Sequence, residues 1–171
     1  VTDVASFNYT FGDYAKYLEH APEMIIYQSE ATTNDWLAPY VGMDREHTVG
    51  LAYWGAIEYW GESNAWPKKG WNFSFFSHAL RPYPTAYLIR SAFCPDAPLV
   101  RIGTVDGRES VEWNDVRSGA VRLGEDWNRR AGEKVAVMVF ANAPSVELFV
   151  NGCSLGDCIA PPYRFDFTPP K

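Results

Sequence analysis

The 171-residue sequence has few cysteines, no long apolar run and no cluster of positive charge. No apolar stretch approaches the roughly 20 residues that cross a bilayer as a helix, so no membrane partner is expected. The opening Val1–Phe11 carries Asp3, Asn8 and hydroxyl side chains where a signal peptide would have an apolar centre. Lysine and arginine come no closer than the pairs Lys68-Lys69 and Arg129-Arg130, and net charge is -6. That excludes the basic footprint of a nucleic-acid binder and offers nothing to an anionic lipid surface. Three cysteines, Cys94, Cys153 and Cys158, have no metal-ligand spacing. Cys153 and Cys158 can pair or stay as thiols, and the count does not fix a redox compartment.

Aromatic residues are abundant instead, at 16% with seven tryptophans. They crowd the stretch from Tyr53 to Phe76, which holds Tyr53, Trp54, Tyr59, Trp60, Trp66, Trp71, Phe73, Phe75 and Phe76 beside Glu58, Glu62, Asn64 and His78. Most aromatics serve a core. Set beside carboxylates, they also suit a sugar, which offers an apolar CH face and a hydroxyl edge.

The first half reads as strands alternating with helices. Val4–Asn8 is a short strand, and Gly12–His20 has helical spacing ended by Pro22. Met24–Tyr27 is a continuous apolar run, as in a parallel strand covered on both faces. Val49–Trp54 is another, and Pro84–Phe93 reads as a helix with proline in its first turn. Such alternation implies parallel βα units, whose chemistry sits at the C-terminal ends of the strands. Cys94–Pro98, with two prolines and an Asp, reads as a linker. Beyond it the pattern is all-β: Lys134–Ala141, then Val146–Val150 with alternating faces, an Asn151-Gly152 hairpin signal and Tyr163–Phe167. These features suggest part of an immunoglobulin-like sandwich. Three βα units cannot close an eight-stranded barrel of roughly 250 residues, so edges and apolar faces should be exposed.

Three successive strands end in chemistry-bearing residues: Asn8-Tyr9, Ser29-Glu30 and Trp54, with Glu58 just after. A retaining glycosidase needs an ionised carboxylate nucleophile and, about 5–5.5 Å away, a second carboxylic acid for the leaving oxygen. A phenol to steady the nucleophile and an indole to wall the sugar complete such a site.

These stretches, DVASFNYTFGDY, PEMIIYQSEATT, VGLAYWGAIEYWGES and RPYPTAYLIRSAF, resemble glycoside hydrolase family 2, most of all its β-galactosidase-like members. The later WNRRAGEKVAVMVFANAPSVELFVNGCSLGD resembles the immunoglobulin-like domain that follows the barrel in that family. The resemblance implies a fold in two parts. Residues 1–95 would be the last third of a TIM (β/α)8 barrel, strands six to eight, and 96–171 a partial immunoglobulin-like β-sandwich. It implies Glu30 as nucleophile, Tyr9 as the residue that orients it, and Asn8, Trp54 and Glu58 as contacts to a carbohydrate substrate. Glu58 stands where the family usually has Asp. Glu62 matches the family's GE, and Trp66 and Trp71 fit either loop packing or a distal subsite.

The family's acid/base is the Glu of an Asn-Glu pair, and no Asn-Glu occurs in this chain. The parent is thus expected to be a retaining exo-β-glycosidase and the chain alone inactive. No cofactor is expected; some relatives hold a divalent cation, but no ligand cluster here supports one. The competing reading is a non-catalytic carbohydrate-binding or structural module. A periplasmic or secreted setting suits a polysaccharide-degrading relative. The sugar, its linkage and the oligomeric state are left open; the absence of the asparagine-x-lysine contact typical of glucuronidases favours a neutral sugar.

Overall fold

The computed structural model describes residues 2–33, 38–61, 73–113, 116–130, 132–159 and 163–169. It is mostly β-strand with few helices, and its contacts divide it into two compact units, Val1–Ser74 and Phe75–Lys171.

The first unit is a parallel three-stranded sheet in the order β1-β2-β3, made of Val4–Asn8, Ile25–Thr32 and Thr48–Trp54. Helix α1 (Tyr14–His20), entered through a 3-10 turn at Phe11–Asp13, joins β1 to β2, and the short α2 (Ala38–Val41) precedes β3. The Gly12–His20 helix pattern is thus realised with its first turn tightened. Phe7 holds α1 on the sheet: its ring stacks on Tyr17 at 4.7 Å and meets Tyr14 at 5.6 Å. Burial, with Tyr17 nearby, pushes the Tyr14 phenol up to about 12, so it stays protonated. In the middle strand Ile26, Gln28 and Ala31 are fully buried, whereas Ile25 and Tyr27 on the opposite face are 39% and 36% exposed. Among the described residues neither β1 nor β3 pairs along its outer edge. The sheet therefore shows the bare face and edges that its length implied.

Just before β3, Asp44 caps the turn. Its Oδ1 accepts from the Glu46 amide at 2.8 Å, and its Oδ2 lies 2.8 Å from His47 Nδ1. The bond to Asp44 raises the His47 pKa, and the same bond lowers that of Asp44.

The second unit begins with α3 (Pro84–Phe93), Pro84 at its start as proline's fixed φ favours. An antiparallel sheet follows, made of β4 (Val100–Trp113), β5 (Val116–Gly124), β6 (Val135–Ala141) and the last strand β9 (Tyr163–Phe167), in the order β5-β4-β6-β9. A second, two-stranded sheet is the hairpin of β7 (Val146–Val150) and β8 (Cys153–Cys158). Its turn is Asn151-Gly152, at φ 51° and 80°, the left-handed pair that a type I′ turn requires. Leu148 faces the core and Phe149, 57% exposed, faces out, as the alternation suggested.

The weak alternation of KVAVMVFA has a physical cause: β6 is covered on both faces. Val135, Val137, Val139 and Ala141 form a core with Leu148, Tyr163 and Phe165. Met138 and Phe140 are buried too, and α3 packs on this strand. The approach is close enough that a Cβ on Gly103 would stand 3.2 Å from Pro84 Cβ. The long β4–β5 hairpin has no counterpart in the sequence reading. Cys153 and Cys158 form no disulfide and stand at opposite ends of β8. Five residues of strand separate them by about 17 Å, far beyond disulfide reach.

Asn142 binds the segment after α3 to the end of β6. Its Oδ1 accepts from the Leu99 amide at 2.8 Å, and its Nδ2 donates to the carbonyls of Pro95 at 3.0 Å and of Ala97. One side chain thereby satisfies the turns of the Cys94–Pro98 segment. Asn142→Ala is expected to lower the stability of the unit by about 1–3 kcal/mol in urea unfolding, the cost of leaving such groups unpaired. Asn142→Asp should do no better, because it turns a carboxylate toward carbonyls.

The Asp44–His47 pair gives a second expectation. What His47 adds to stability is complete below its ordinary 6.5 and lost as pH rises through its raised value. What Asp44 adds is present above its ordinary 3.8 and lost as pH falls through its lowered value. An NMR titration should show His47 deprotonating above 6.5, and Asp44→Asn should return it toward that value.

Candidate active site

Glu30 does not end its strand. β2 runs on to Thr32, and Glu30 lies inside it at a break in phase. Along β1 the register runs Ser6↔Tyr27, Phe7↔Gln28, Asn8↔Glu30, so Ser29 is one residue more than its neighbour provides. Against β3 the same excess appears, because Gln28 pairs with Leu51 and Ala31 with Tyr53. This is a β-bulge, the device that re-aims a side chain beside a site.

Its effect follows from the period of two. Unbroken alternation would put Glu30 on the face of Gln28, which is fully buried beside Phe7, the side that α1 covers. A carboxylate there would lose its water for no partner, at several kcal/mol. The extra residue turns Glu30 to the open face, where its Oε2 accepts from the Tyr9 phenol at 2.5 Å.

Tyr9 reaches it through an uncommon backbone. Its φ is 60°, a left-handed conformation that bulky residues avoid. The Tyr9 amide donates to the Glu30 carbonyl at 2.8 Å, so main chain and side chain both return to the same residue. Such strain costs of order 1–3 kcal/mol and gathers at functional sites.

Trp54 closes β3 opposite Thr32 in register, two residues beyond Glu30. Gly55, at φ 68°, turns the chain immediately afterwards, and Tyr59 meets the indole edge-on at 5.6 Å. Asn8 is exposed at the end of β1, directly beside Glu30 in register. Glu58 is half-buried in the segment after β3. The parallel sheet thus brings Asn8, Tyr9 and Glu30 together, with Trp54 on the adjoining strand. His78 is exposed on the Ser77–Arg81 turn of the second unit. Glu62, Trp66 and Trp71 lie outside the described residues. Among the described residues no three His, Cys, Asp or Glu gather as metal ligands would.

A family model described only as a domain of unknown function, DUF4982, matches residues 132–169. No curated protein matches the chain. Solved structures do. A glycosyl hydrolase family 2 member from Bacteroides cellulosilyticus superposes with a TM-score of 0.78 at 23% identity, over 98% of this chain and 25% of that one. Another from the same species gives 0.74 at 25% identity, over 98% and 22%. The chain has a glycoside hydrolase family 2 fold. A further match, with a TM-score of 0.69 at 16% identity over 100% of this chain and 23% of that one, is Bacteroides uniformis beta-glucuronidase 2, covalently bound to cyclophellitol-6-carboxylate aziridine.

The family 2 resemblance read from the sequence therefore holds across the whole fold, while the chain spans about a quarter of the length of these structures. Two residues beside Glu30 went unnoticed as contributors. Ser6 and Ser29 hydrogen-bond to each other at 2.7 Å, and Ser29 to Asn8 at 2.7 Å. Ser6 carried a signal, being two residues before Asn8 on the same strand face. Ser29 carried one too, standing two residues after Tyr27 on the face that Ser6 shares; only its contact with Asn8 needed the register.

The backbone at Tyr9 can be tested without reference to activity. Tyr9→Ala and Tyr9→Gly both remove the ring and its hydrogen bond. Glycine takes φ 60° without penalty, so Tyr9→Gly should be more stable than Tyr9→Ala by about 1 kcal/mol in chemical denaturation.

Proposed function

We propose that this chain is the nucleophile-bearing part of a retaining β-glycosidase of glycoside hydrolase family 2. In this reading β1, β2 and β3 are strands six, seven and eight of a (β/α)8 barrel, and the region from about residue 96 is an immunoglobulin-like sandwich. The observation that carries the reading is the Tyr9–Glu30 hydrogen bond near the C-terminal end of a parallel sheet, where barrel enzymes keep their chemistry.

Glu30 attacks the anomeric carbon as the aglycone oxygen leaves, giving a covalent glycosyl-enzyme that water then hydrolyses. Tyr9, through its phenol, holds the carboxylate in its attacking orientation. Trp54 walls the sugar, and Asn8 and Glu58 offer polar contacts. With no Asn-Glu pair in the chain, the acid/base carboxylate comes from elsewhere in the parent, and the chain alone is inactive. The sequence resembles the β-galactosidase-like members most and leaves the sugar open. The beta-glucuronidase among the structural neighbours shares 16% identity, which speaks for fold and not for sugar.

The test is made in the full-length protein that carries this chain. Glu30→Gln should reduce turnover of an aryl β-glycoside by roughly 10³-fold or more, as loss of a nucleophile does. A loss of less than tenfold removes Glu30 from that role. Treatment with a mechanism-based aziridine or 2-fluoro glycoside should leave a mass adduct on the peptide containing Glu30. A carbohydrate-binding module without chemistry would bind the sugar and give no adduct.

A further inference from the structure

The bulge residue does more than change the phase of β2. Ser29 Oγ lies 2.7 Å from Ser6 Oγ, which donates to it, and 2.7 Å from Asn8 Oδ1, to which it donates. The Phe7 carbonyl stands at 3.1 Å. A serine hydroxyl has a single proton. With Ser6 supplying a hydrogen bond, that proton goes to the β1 side, to Asn8 and the Phe7 carbonyl. The oxygen end of the Asn8 amide is thereby tied down, which settles which end of the carboxamide is free. The Asn8 NH₂ group has no hydrogen-bond partner among the described residues. Asn8 itself is exposed and in register with Glu30.

We propose that Ser29 is a positioning residue for sugar recognition. The Ser6–Ser29–Asn8 chain holds the Asn8 amide with its NH₂ as a donor to one oxygen substituent of the sugar bound at Glu30. The proposal rests on the reading of Glu30 as nucleophile and deepens it. It assigns the site a neutral donor for an acceptor oxygen, fixed before the substrate arrives. Preorganised donors recognise a substrate oxygen at little entropic cost. A free Asn8 would present its oxygen or its nitrogen end, and only the second can donate. One residue thus performs two tasks: its presence turns Glu30 outward, and its hydroxyl orients the neighbouring donor.

The experiment uses the full-length enzyme and a series of aryl β-glycosides deoxygenated at one ring position at a time. Ser29→Ala and Asn8→Ala should each lower kcat/KM on the fully hydroxylated substrate by about 3–10-fold, the range of one neutral hydrogen bond. The loss should appear mainly as a rise in KM. The double variant should be no worse than Asn8→Ala alone, because the two act as a unit. One deoxy substrate, lacking the recognised oxygen, should be hydrolysed equally by wild type and both variants. Ser29→Thr keeps the hydroxyl and should restore most of the loss. Ser6→Ala, which leaves the bulge residue in place, should give a smaller loss in the same direction and serves if Ser29→Ala fails to fold. Additive losses, or equal losses on every deoxy substrate, would overturn the proposal and leave Ser29 a structural tie. Glu30→Gln is measured alongside. If it keeps turnover within tenfold, the underlying reading fails. If it abolishes turnover while the Ser29 and Asn8 losses add, only this inference fails.

Discussion

One additional residue in a central strand governs what the parallel sheet presents to solvent. β2 is paired on both sides, and both registers slip at Ser29; against β3 an opposite slip at Val49 comes first, so those two strands are back in step by Ala31. The strand resolves the mismatch by changing phase at Ser29. Upstream, Ile26 and Gln28 point into the buried face; downstream, Glu30 points to the open one and finds the Tyr9 phenol. Every other property of the site follows from that rotation. Tyr9 leaves β1 in a left-handed turn because its phenol and its amide both return to Glu30. Asn8 is matched with Glu30 because the register has already slipped.

The second unit obeys a different constraint. Its strand β6 has apolar cover on each side, Leu148 of the β7–β8 hairpin on one and α3 on the other. A strand covered twice has no need of alternation, which is why its sequence reads as continuous hydrophobicity. The compact units part between Ser74 and Phe75, so α3 groups with the antiparallel strands. Contacts made by Asn142 extend the same unit through the Cys94–Pro98 segment, where the composition alone suggested a linker.

Much of this was legible in the chain. Val4–Asn8, Thr48–Trp54, Val135–Ala141, Val146–Val150 and Tyr163–Phe167 appear as strands where apolar patterning placed them, and Pro84–Phe93 as a helix. Asn151-Gly152 specified its turn, since few other residues accept that backbone. The β4–β5 hairpin was not legible. Val100–Gly124 mixes charged residues with Gly103, Gly107, Gly119 and Gly124, which dilute the alternation that marks a strand. Its pairing runs from Trp113 with Val116 outward to Thr104 with Gly124, and what holds such a strand is its packing against its neighbours, not a preference written in its own residues.

By itself the sequence determined which chemical groups the C-terminal parts of three parallel strands carry: a phenol, a carboxylate and an indole, at Tyr9, Glu30 and Trp54. Those identities survive any change of register. Tertiary structure alone decided which way Glu30 faces and what Ser29 touches. A bulge is a relation between a strand and the two strands beside it, and the residues from Met24 to Thr32 contain nothing that counts their neighbours.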